Sequence, residues 1–581
     1  MLDRFRPLRP YLARYKARFI VGFVCLTLGQ SIGALVPLAI KAGVDDLMHG
    51  AALHRLAIVT GVLVGLSLVK AIFQFWTRWI LIGISRDAEY DLRNDLFRHL
   101  LRLSPRYYTE HSTGDLMSKL TNDLNAVRNM MGPGIMYSAT TAVVGITTIS
   151  LMLHLDWKLT LMALAPLPLV SLGVKFFGAK IHERFEKIQA LYSEITERVR
   201  ENISGVRVVR AFCQEDAEMA TFDVMNRDFV DKNRGLIWIT SFLWPGMALM
   251  FAVALMMVLV VGGMHVVRGT ITIGTFAAFN VYLANLIWPI AALGWVTNIV
   301  QRGLASQGRL MTIFDAQPEI DDRDVPEDPI TALMGDIEFR NLSFSYNGHP
   351  ILKNINLHIP AGKIVAVVGG TGSGKSTLVS LIPRLYDAPP GTLLVDGVPI
   401  RQIPLHTLRN DIGFVPQETF LFSETIRENI RLGAPEASDA QVERAAEISN
   451  ILPEINGFPR KFDTLVGERG ITLSGGQKQR TAISRAVIRD PRILILDDAL
   501  SSVDTYTEET ILRQLTGVMA DRTTILISHR VSTIQNADEI VVLHNGEIAE
   551  RGSHAELLSI NGYYTELYNK QLIEEALEKE A

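Results

Sequence analysis

Cysteine is nearly absent from the chain. Two cysteines in 581 residues, Cys25 and Cys213, cannot form a disulfide framework, and neither has a second cysteine nearby to share a metal. Charge is also sparse, at 20% of residues against ~25% in an ordinary soluble domain. The net charge of −4 leaves no overall basic footprint, so no nucleic-acid partner is expected. What is present in excess is hydropathy, with a mean of +0.20. The hydrophobic share of 48% is ordinary, so that excess has to be concentrated in part of the chain. Disorder, collagen-like repeats and small secreted scaffolds are excluded. A membrane protein, a large soluble enzyme, or both in one chain remain, and 581 residues exceed the ~100–200 of one domain.

The excess lies in the first half. Phe19 to Ile40 is a run of 22 residues without a charge, and Ile271 to Gln301 is a run of 31. Gly235 to Val267 is a third. A helix crossing a bilayer needs ~20 apolar residues. Leu56 to Trp79, Gly132 to Leu155 and Leu159 to Val174 are weaker candidates, the first carrying Lys70 and Arg78 and the last two separated by a short turn at His154–Lys158. Six such runs cannot all hide in one soluble core. Six spans are expected, at about 19–40, 56–79, 132–155, 159–178, 236–263 and 271–298. Arg4, Arg6, Arg9, Arg14, Lys16 and Arg18 precede the first span, whereas Asp45, Asp46 and Arg55 follow it. The positive-inside rule then places the N-terminus in the cytoplasm, and an even number of spans returns the second half there. The first apolar run is too long for the core of a cleavable signal.

Two charged stretches, Ile80 to Met131 and Phe176 to Arg234, are rich in helix formers. Read as helix pairs, each has arms of ~25–30 residues that reach roughly 35–45 Å beyond the membrane. Bends are expected at Ser112–Asp115, where Leu116, Met117 and Leu120 suggest a short amphipathic helix, and near Ala211–Asp216. An apolar face on each favours docking on something cytoplasmic over a helical bundle with no partner. After Phe314 the composition shifts. Asp315 to Pro329 holds five aspartates, two glutamates and three prolines, and reads as a linker. Strands alternate with helices from there to about Lys570, and an acidic end follows. The expected division is a membrane domain at 1–314, a linker at 315–334, a soluble α/β domain at 335–570 and a tail at 571–581.

The soluble half carries the chemistry. Ile364–Val368 reads as a buried parallel strand and runs into Gly369-Gly370-Thr371-Gly372-Ser373-Gly374-Lys375-Ser376-Thr377, a phosphate-binding P-loop. Its glycines let backbone N–H groups converge on phosphate, Lys375 supplies a point charge, and the Ser376 hydroxyl can ligate Mg²⁺. Ile493–Leu496 is a second buried strand ending in Asp497, and a carboxylate at a strand tip beside the P-loop strand suits Mg²⁺; the alternative is an ordinary strand-end cap. Thr524–Ile527 ends at Ser528-His529, where a histidine at the sheet edge can sense a γ-phosphate. Gln417 has an amide oxygen that can reach Mg²⁺ or an attacking water. Leu473-Ser474-Gly475-Gly476-Gln477 opens a helix and forms a second anion site. The P-loop already holds this chain's γ-phosphate, so the second site suits a nucleotide held by another copy of the module.

In this order and spacing, the P-loop, Gln417, Leu473–Gln477, the Ile493–Asp497 strand and His529 resemble an ATP-binding cassette. With six spans ahead of it, the chain resembles a half-size ABC exporter. The implied fold is an all-α six-helix transmembrane domain fused to an α/β P-loop NTPase. Thr113–Leu116 and Val208–Phe212 match that family's coupling regions, Gly467–Gly470 its exporter-type loop, Tyr346 the aromatic that stacks on adenine, and Asp504 the D-loop. The resemblance implies ATP and Mg²⁺ as cofactors, with Ser376, Gln417 and Asp497 at the metal. It implies a second half-transporter as partner, two ATP molecules sandwiched between the P-loop of one chain and the Ser474–Gln477 turn of the other, and location in the cytoplasmic membrane.

The chain departs from the family pattern at one position. The family normally places a glutamate, the general base, after the Walker-B aspartate; here the pair is Asp497-Asp498. With Gln417 and His529 otherwise in place, the pattern resembles the slow-site subunit of a heterodimeric multidrug-type exporter. A homodimeric lipid or drug flippase and an ATP-gated channel are the alternatives. The substrate is expected to be a small amphipathic or lipid-like compound. Trp238, Trp244, Trp288, Trp295, Asn280 and Asn285 either line its cavity or mark the membrane interface and helix packing. Lys70 and Arg78 face either a wet cavity or the membrane edge.

Overall fold

The computed structural model describes residues 6–467, 473–528 and 530–580. The chain divides into two compact units, one of Met1–Leu101 with Thr113–Ala316 and one of Arg102–Ser112 with Gln317–Ala581.

The first unit is helical. Among the described residues, Lys16–Met48, Leu53–Leu100, Thr113–Leu155, Ala248–Val267 and Ile273–Asp315 are long and apolar enough to cross a membrane. The segment at 159–178 is not among these five. It is covered by Trp157–Leu164 and Leu167–Ser204, interrupted at Ala165-Pro166, where a proline has no N–H to continue the helical ladder. The charged stretches are continuations of long helices: Leu53–Leu100 runs into the first, and Leu167–Ser204 and Glu215–Met257 run through the second. Leu53–Leu100 runs unbroken for 48 residues, about 70 Å at the usual rise.

The short helix expected at Thr113–Leu120 lies earlier, at Pro105–Glu110, within the second unit. Pro105 starts it because a first-turn residue needs no N–H partner, and Thr113 instead begins the next long helix. The other short helix is Val206–Ala211, and the chain turns after it through Cys213 in a left-handed conformation.

Glycines let the first two long helices approach. A Cβ on Gly22, Gly29 or Gly33 would sit 2.6 Å from Leu81, 2.9 Å from Phe73 and 3.0 Å from Lys70. Several polar groups in this unit have partners. Glu89, nearly buried, faces Arg86, Arg93 and Arg128. Arg14 and Arg18 of the basic N-terminal segment pair with Asp91 and Asp87. Asp45 accepts from the Gly274 N–H at 2.9 Å and the Thr272 hydroxyl at 2.9 Å, so a carboxylate meets the start of the helix Ile273–Asp315.

The second unit contains ten strands among the described residues: β1 Ile337–Tyr346, β2 His349–Ile359, β3 Ile364–Gly369, β4 Leu393–Val395, β5 Val398–Pro399, β6 Ile412–Val415, β7 Ile493–Asp497, β8 Thr523–Ile527, β9 Glu539–His544 and β10 Glu547–Gly552. A four-stranded antiparallel sheet has the order β2-β1-β4-β5. A six-stranded sheet has the order β10-β9-β3-β8-β7-β6, parallel except for β10. The continuous apolar runs of β3, β7 and β8 are buried, as a doubly covered parallel sheet requires. One core lies between the two sheets. A separate helical lobe closes around Leu421, Ile426, Ile430, Val442 and Ile455.

The acidic linker is tied down rather than free. Asp315 still belongs to the last membrane-unit helix. Beyond it, Asp322 accepts from the Leu405 N–H at 2.9 Å, and Ile320 and Leu333 are buried. Asp396 accepts from three consecutive N–H groups, Met334 at 2.7 Å, Gly335 at 3.0 Å and Asp336 at 2.9 Å. The tail is not a separate element either, because the helix Tyr563–Glu580 runs through it.

Asp396→Ala strands three donors and places alanine at a left-handed position, so it is expected to destabilise the cassette by about 2–4 kcal/mol. Asp396→Asn keeps one acceptor and tolerates that backbone, and should lose less than half as much. Thermal unfolding of the full chain in detergent measures both.

Candidate functional site

β3, β8 and β7 end side by side. Val367 lies level with Ile527 on β8, and Ile527 with Asp497 on β7. The strand carrying Asp497 is therefore not next to the P-loop strand, because β8 intervenes. The reach across it is short nonetheless: the Ser376 hydroxyl donates to Asp497 Oδ1 at 3.1 Å.

The P-loop turns on glycines that no other residue replaces easily. Gly372 has φ +79° and Gly374 φ +100°, and a Cβ on Gly374 would meet Leu352 at 2.7 Å. Lys375 starts the next helix, and its ammonium curls back to donate to the carbonyls of Gly369 and Gly370, each at 2.9 Å. Burial lowers the pKa of Lys375 from the usual lysine value, with Asp497 and Asp498 opposing that shift. A nucleotide phosphate would supply the anion this buried ammonium lacks. A cavity of about 260 Å³ is lined by Thr371, Gly372, Gly374, Lys375, Ser376, Thr377, Gln417, Asp497 and Asp498, closed by Ile351 and Ile527. Gly369, Gly370 and Ser373 complete the loop behind it. Ser376, Gln417 and Asp497 converge as hydroxyl, amide and carboxylate oxygens, the hard donors that suit Mg²⁺.

Tyr346 is half-buried at the end of β1, with its ring edge-on to Tyr386 at 5.0 Å. Burial raises its pKa. Ile351 and Tyr386 escape a motif-based reading. Their only signal is position, just beyond the tight turn at Asn347-Gly348 and just after the P-loop helix.

Asp498 sits at φ +50°, a left-handed conformation. Its backbone is held on both sides: its N–H donates to the Ile527 carbonyl at 2.9 Å, and its carbonyl accepts from the Ser501 hydroxyl at 3.0 Å. Gln479, which no motif singles out, reinforces this turn. Its side chain donates to the Ser501 hydroxyl at 3.0 Å and accepts from the Ser502 N–H at 2.9 Å. Glu508, buried, binds Arg530 and Thr533 just beyond the sheet edge. His529 lies outside the described residues, as do Glu468, Arg469 and Gly470 of the exporter-type loop.

Ser474, Gly475, Gly476 and Gln477 do not line the P-loop cavity. They start the helix Gly475–Val487 as a capping box, with the Ser474 N–H donating to Gln477 Oε1 at 2.9 Å and the Gln477 N–H to Ser474 Oγ at 3.3 Å. Gly475 and Gly476 allow close contact with Ser502, whose carbonyl oxygen would be 2.9 Å from a Cβ on Gly476. Asp504 caps the helix Thr505–Met519 by accepting from the Thr507 N–H at 2.9 Å, and that bond holds its carboxyl below the usual range.

In the helical unit, Trp288 and Asn285 line a cavity, Trp238 packs at a tilt against Phe242 with ring centroids 4.7 Å apart, and Trp295 packs edge-on to Tyr137 at 5.0 Å. Asn280 turns back on its own helix, donating to the Phe276 carbonyl. Nothing is described of the Trp244 side chain.

Comparison with known proteins follows the same division. Residues 19–290 match the ABC transporter transmembrane region, and residues 352–501 match the ABC transporter cassette. A probable multidrug resistance ABC transporter ATP-binding/permease protein of Bacillus subtilis is 37% identical over 98% of both chains. An ATP-dependent lipid A-core flippase of Syntrophus aciditrophicus is 35% identical over 100% of this chain and 96% of its own. Among solved structures, a bacterial Atm1-family ABC exporter with ATP bound superposes with a TM-score of 0.79 at 29% identity, covering 96% of this chain and 99% of that one.

Replacing Lys375 with methionine should weaken ATP binding about tenfold to a hundredfold, the value of a charge-assisted hydrogen bond of ~1.5–3 kcal/mol. Because the lysine pKa is lowered in the empty site, rising pH discharges the amine earlier than it would an exposed lysine. Wild-type affinity should therefore fall at alkaline pH, whereas the methionine variant should lose that component. Equilibrium titration with a fluorescent ATP analogue between pH 7 and 10 reads both effects.

Proposed function

The chain belongs to the ABC exporters, as a half-transporter with a transmembrane region fused to its ATPase cassette, and on that premise we propose that it drives export or outward flipping of amphipathic, lipid-like compounds across the cytoplasmic membrane as one subunit of a heterodimer. The N-terminus and cassette face the cytoplasm, where the basic first segment and the ATP supply both lie. Two cassettes close head to tail over two ATP molecules. Ser474–Gln477 of this chain completes the partner's site, in keeping with a signature turn that lies outside its own P-loop cavity. Lys375 and the P-loop amides hold phosphate, Ser376, Gln417 and Asp497 hold Mg²⁺, Tyr346 receives adenine, and His529 senses the γ-phosphate. Closure turns the transmembrane cavity outward, and hydrolysis reopens it.

Asp498 is the single observation that carries the heterodimer reading. Its carboxylate stands one methylene, about 1.5 Å, short of where a glutamate would place a general base, and misplacing such a base forfeits part of a ~10²–10⁴-fold effect. The backbone bonds to Ile527, Ser501 and Gln479 keep the turn from advancing to make up the distance. The site is thus suited to holding ATP and hydrolysing it slowly, while a partner bearing the glutamate turns over.

Asp498→Glu should raise single-turnover hydrolysis at this site about tenfold or more, and an unchanged rate would remove distance as the cause. A tagged copy purified from its native host should bring a second, different half-transporter in equal amount. Recovery of this chain alone with full ATPase turnover would establish the homodimer instead.

A further inference from the structure

A cation inside a membrane span is costly unless it faces water or a partner. Lys70 and Arg78 fall within the same spanning helix, Leu53–Leu100. The spacing 70, 74, 77 and 78 puts Lys70, Gln74, Thr77 and Arg78 on one helical face, with the two cations about 12 Å apart along the axis. On this face Thr77 is buried, Lys70 is half-buried, and Gln74 and Arg78 are exposed. All four residues line a cavity of about 220 Å³ between helices of the membrane unit, with Gln30, Thr140 and Asn285 among its other walls. No aspartate or glutamate lines it, and among the described residues neither cation has an ion pair. The cavity thus carries two positive charges and a set of neutral hydrogen-bonding groups without a counter-charge.

Two backbone features enlarge and polarise it. Gly33 clears space for Lys70, because a Cβ there would lie 3.0 Å from Lys70 Cε and 3.2 Å from its Nζ. Pro37 and Pro289 lie inside spanning helices and have no N–H for the carbonyls of Gly33 and Asn285, both of which line the cavity. Its volume is below the ~300–1,000 Å³ of pockets that enclose a whole drug-sized ligand. It suits a head group, while Trp288, Met136 and Val144 offer apolar wall to whatever is attached.

We propose that this cavity seats the anionic head of the transported compound, a phosphate or carboxylate, with Arg78 gripping it through paired N–H donors and Lys70 neutralising it deeper in the span. This rests on the export reading and names the substrate class within it, amphipathic organic anions, over cationic or neutral amphiphiles.

The test uses the purified full chain in phosphatidylcholine nanodiscs, with binding measured by thermophoresis. Lysophosphatidic acid should bind at least tenfold more tightly than lysophosphatidylcholine of the same acyl chain. The Lys70→Gln/Arg78→Gln pair should abolish that preference, and the charge-preserving pair Lys70→Arg/Arg78→Lys should keep most of it. Displacement of lysophosphatidic acid by millimolar inorganic phosphate would support the seat with a free anion as its occupant, and absence of displacement would support it with an amphiphile. Equal binding of the two lysolipids by the wild type would overturn the proposal, as would a preference that survives the glutamine pair or is lost equally in the charge-preserving pair. ATP hydrolysis in the same nanodiscs keeps the two readings apart. Selective binding without any hydrolysis, alone or mixed with its partner subunit, would overturn export and leave the anion seat standing. Hydrolysis without selectivity would do the reverse.

Discussion

Val367, Ile527 and Asp497 lie level across three parallel strands, held by the ladder bonds of β3, β8 and β7, and this register sets where every group of the nucleotide site stands. A slip of one residue along β7 would turn Asp497 to the other face of the sheet and break its 3.1 Å contact with Ser376. Burial of the apolar runs on both faces anchors these strands in the core. The chemistry of the cassette is therefore placed by its core. Glycines with left-handed backbones then let the P-loop leave β3 sharply enough to bring Lys375 back over its end.

Much of this could be read from residues alone. A P-loop is a local object, and so are an aspartate at a strand tip and a Ser-Gly-Gly-Gln turn before a helix. What the residues could not show was strand order. Nothing in Ile493–Leu496 or Thr524–Ile527 says which lies beside the P-loop strand, because both are equally apolar. Nor could spacing show the neighbours that act through space. Gln479 reaches Ser501 and Ser502 from a helix whose pattern marks it only as another polar residue, and Ile351 closes the cavity from a hairpin. The short helix at Pro105–Glu110 was misplaced for a related reason. The capping signal at Thr113–Asp115 was real, but it starts a long helix, while Pro105 starts the short one.

The membrane unit follows the same rule under a harsher penalty, since a polar group there finds no bulk water. Asp45 is spent on the Thr272 hydroxyl and the Gly274 amide, the Tyr282 hydroxyl on the Ala34 carbonyl, and Glu89 on three arginines. Against that background Lys70 and Arg78 stand out. Hydropathy located them on a span but could not orient them, because one helix face becomes a cavity wall only when its neighbours are in place.

The aspartate clip at Met334–Asp336 bears on how such a chain can be cut and rejoined. By sequence the cassette begins at the first strand, and a domain exchange would be made there. The amides that Asp396 holds, the Asp322 bond to Leu405 and the buried Ile320 all lie upstream of that point. The compact unit also includes Arg102–Ser112, where Arg106 donates to the Asn347 side chain at 3.0 Å. A transplantable cassette is thus a discontinuous stretch of chain. Recombination between relatives at the strand boundary would separate residues that fold as one body, so the two halves are expected to be inherited together.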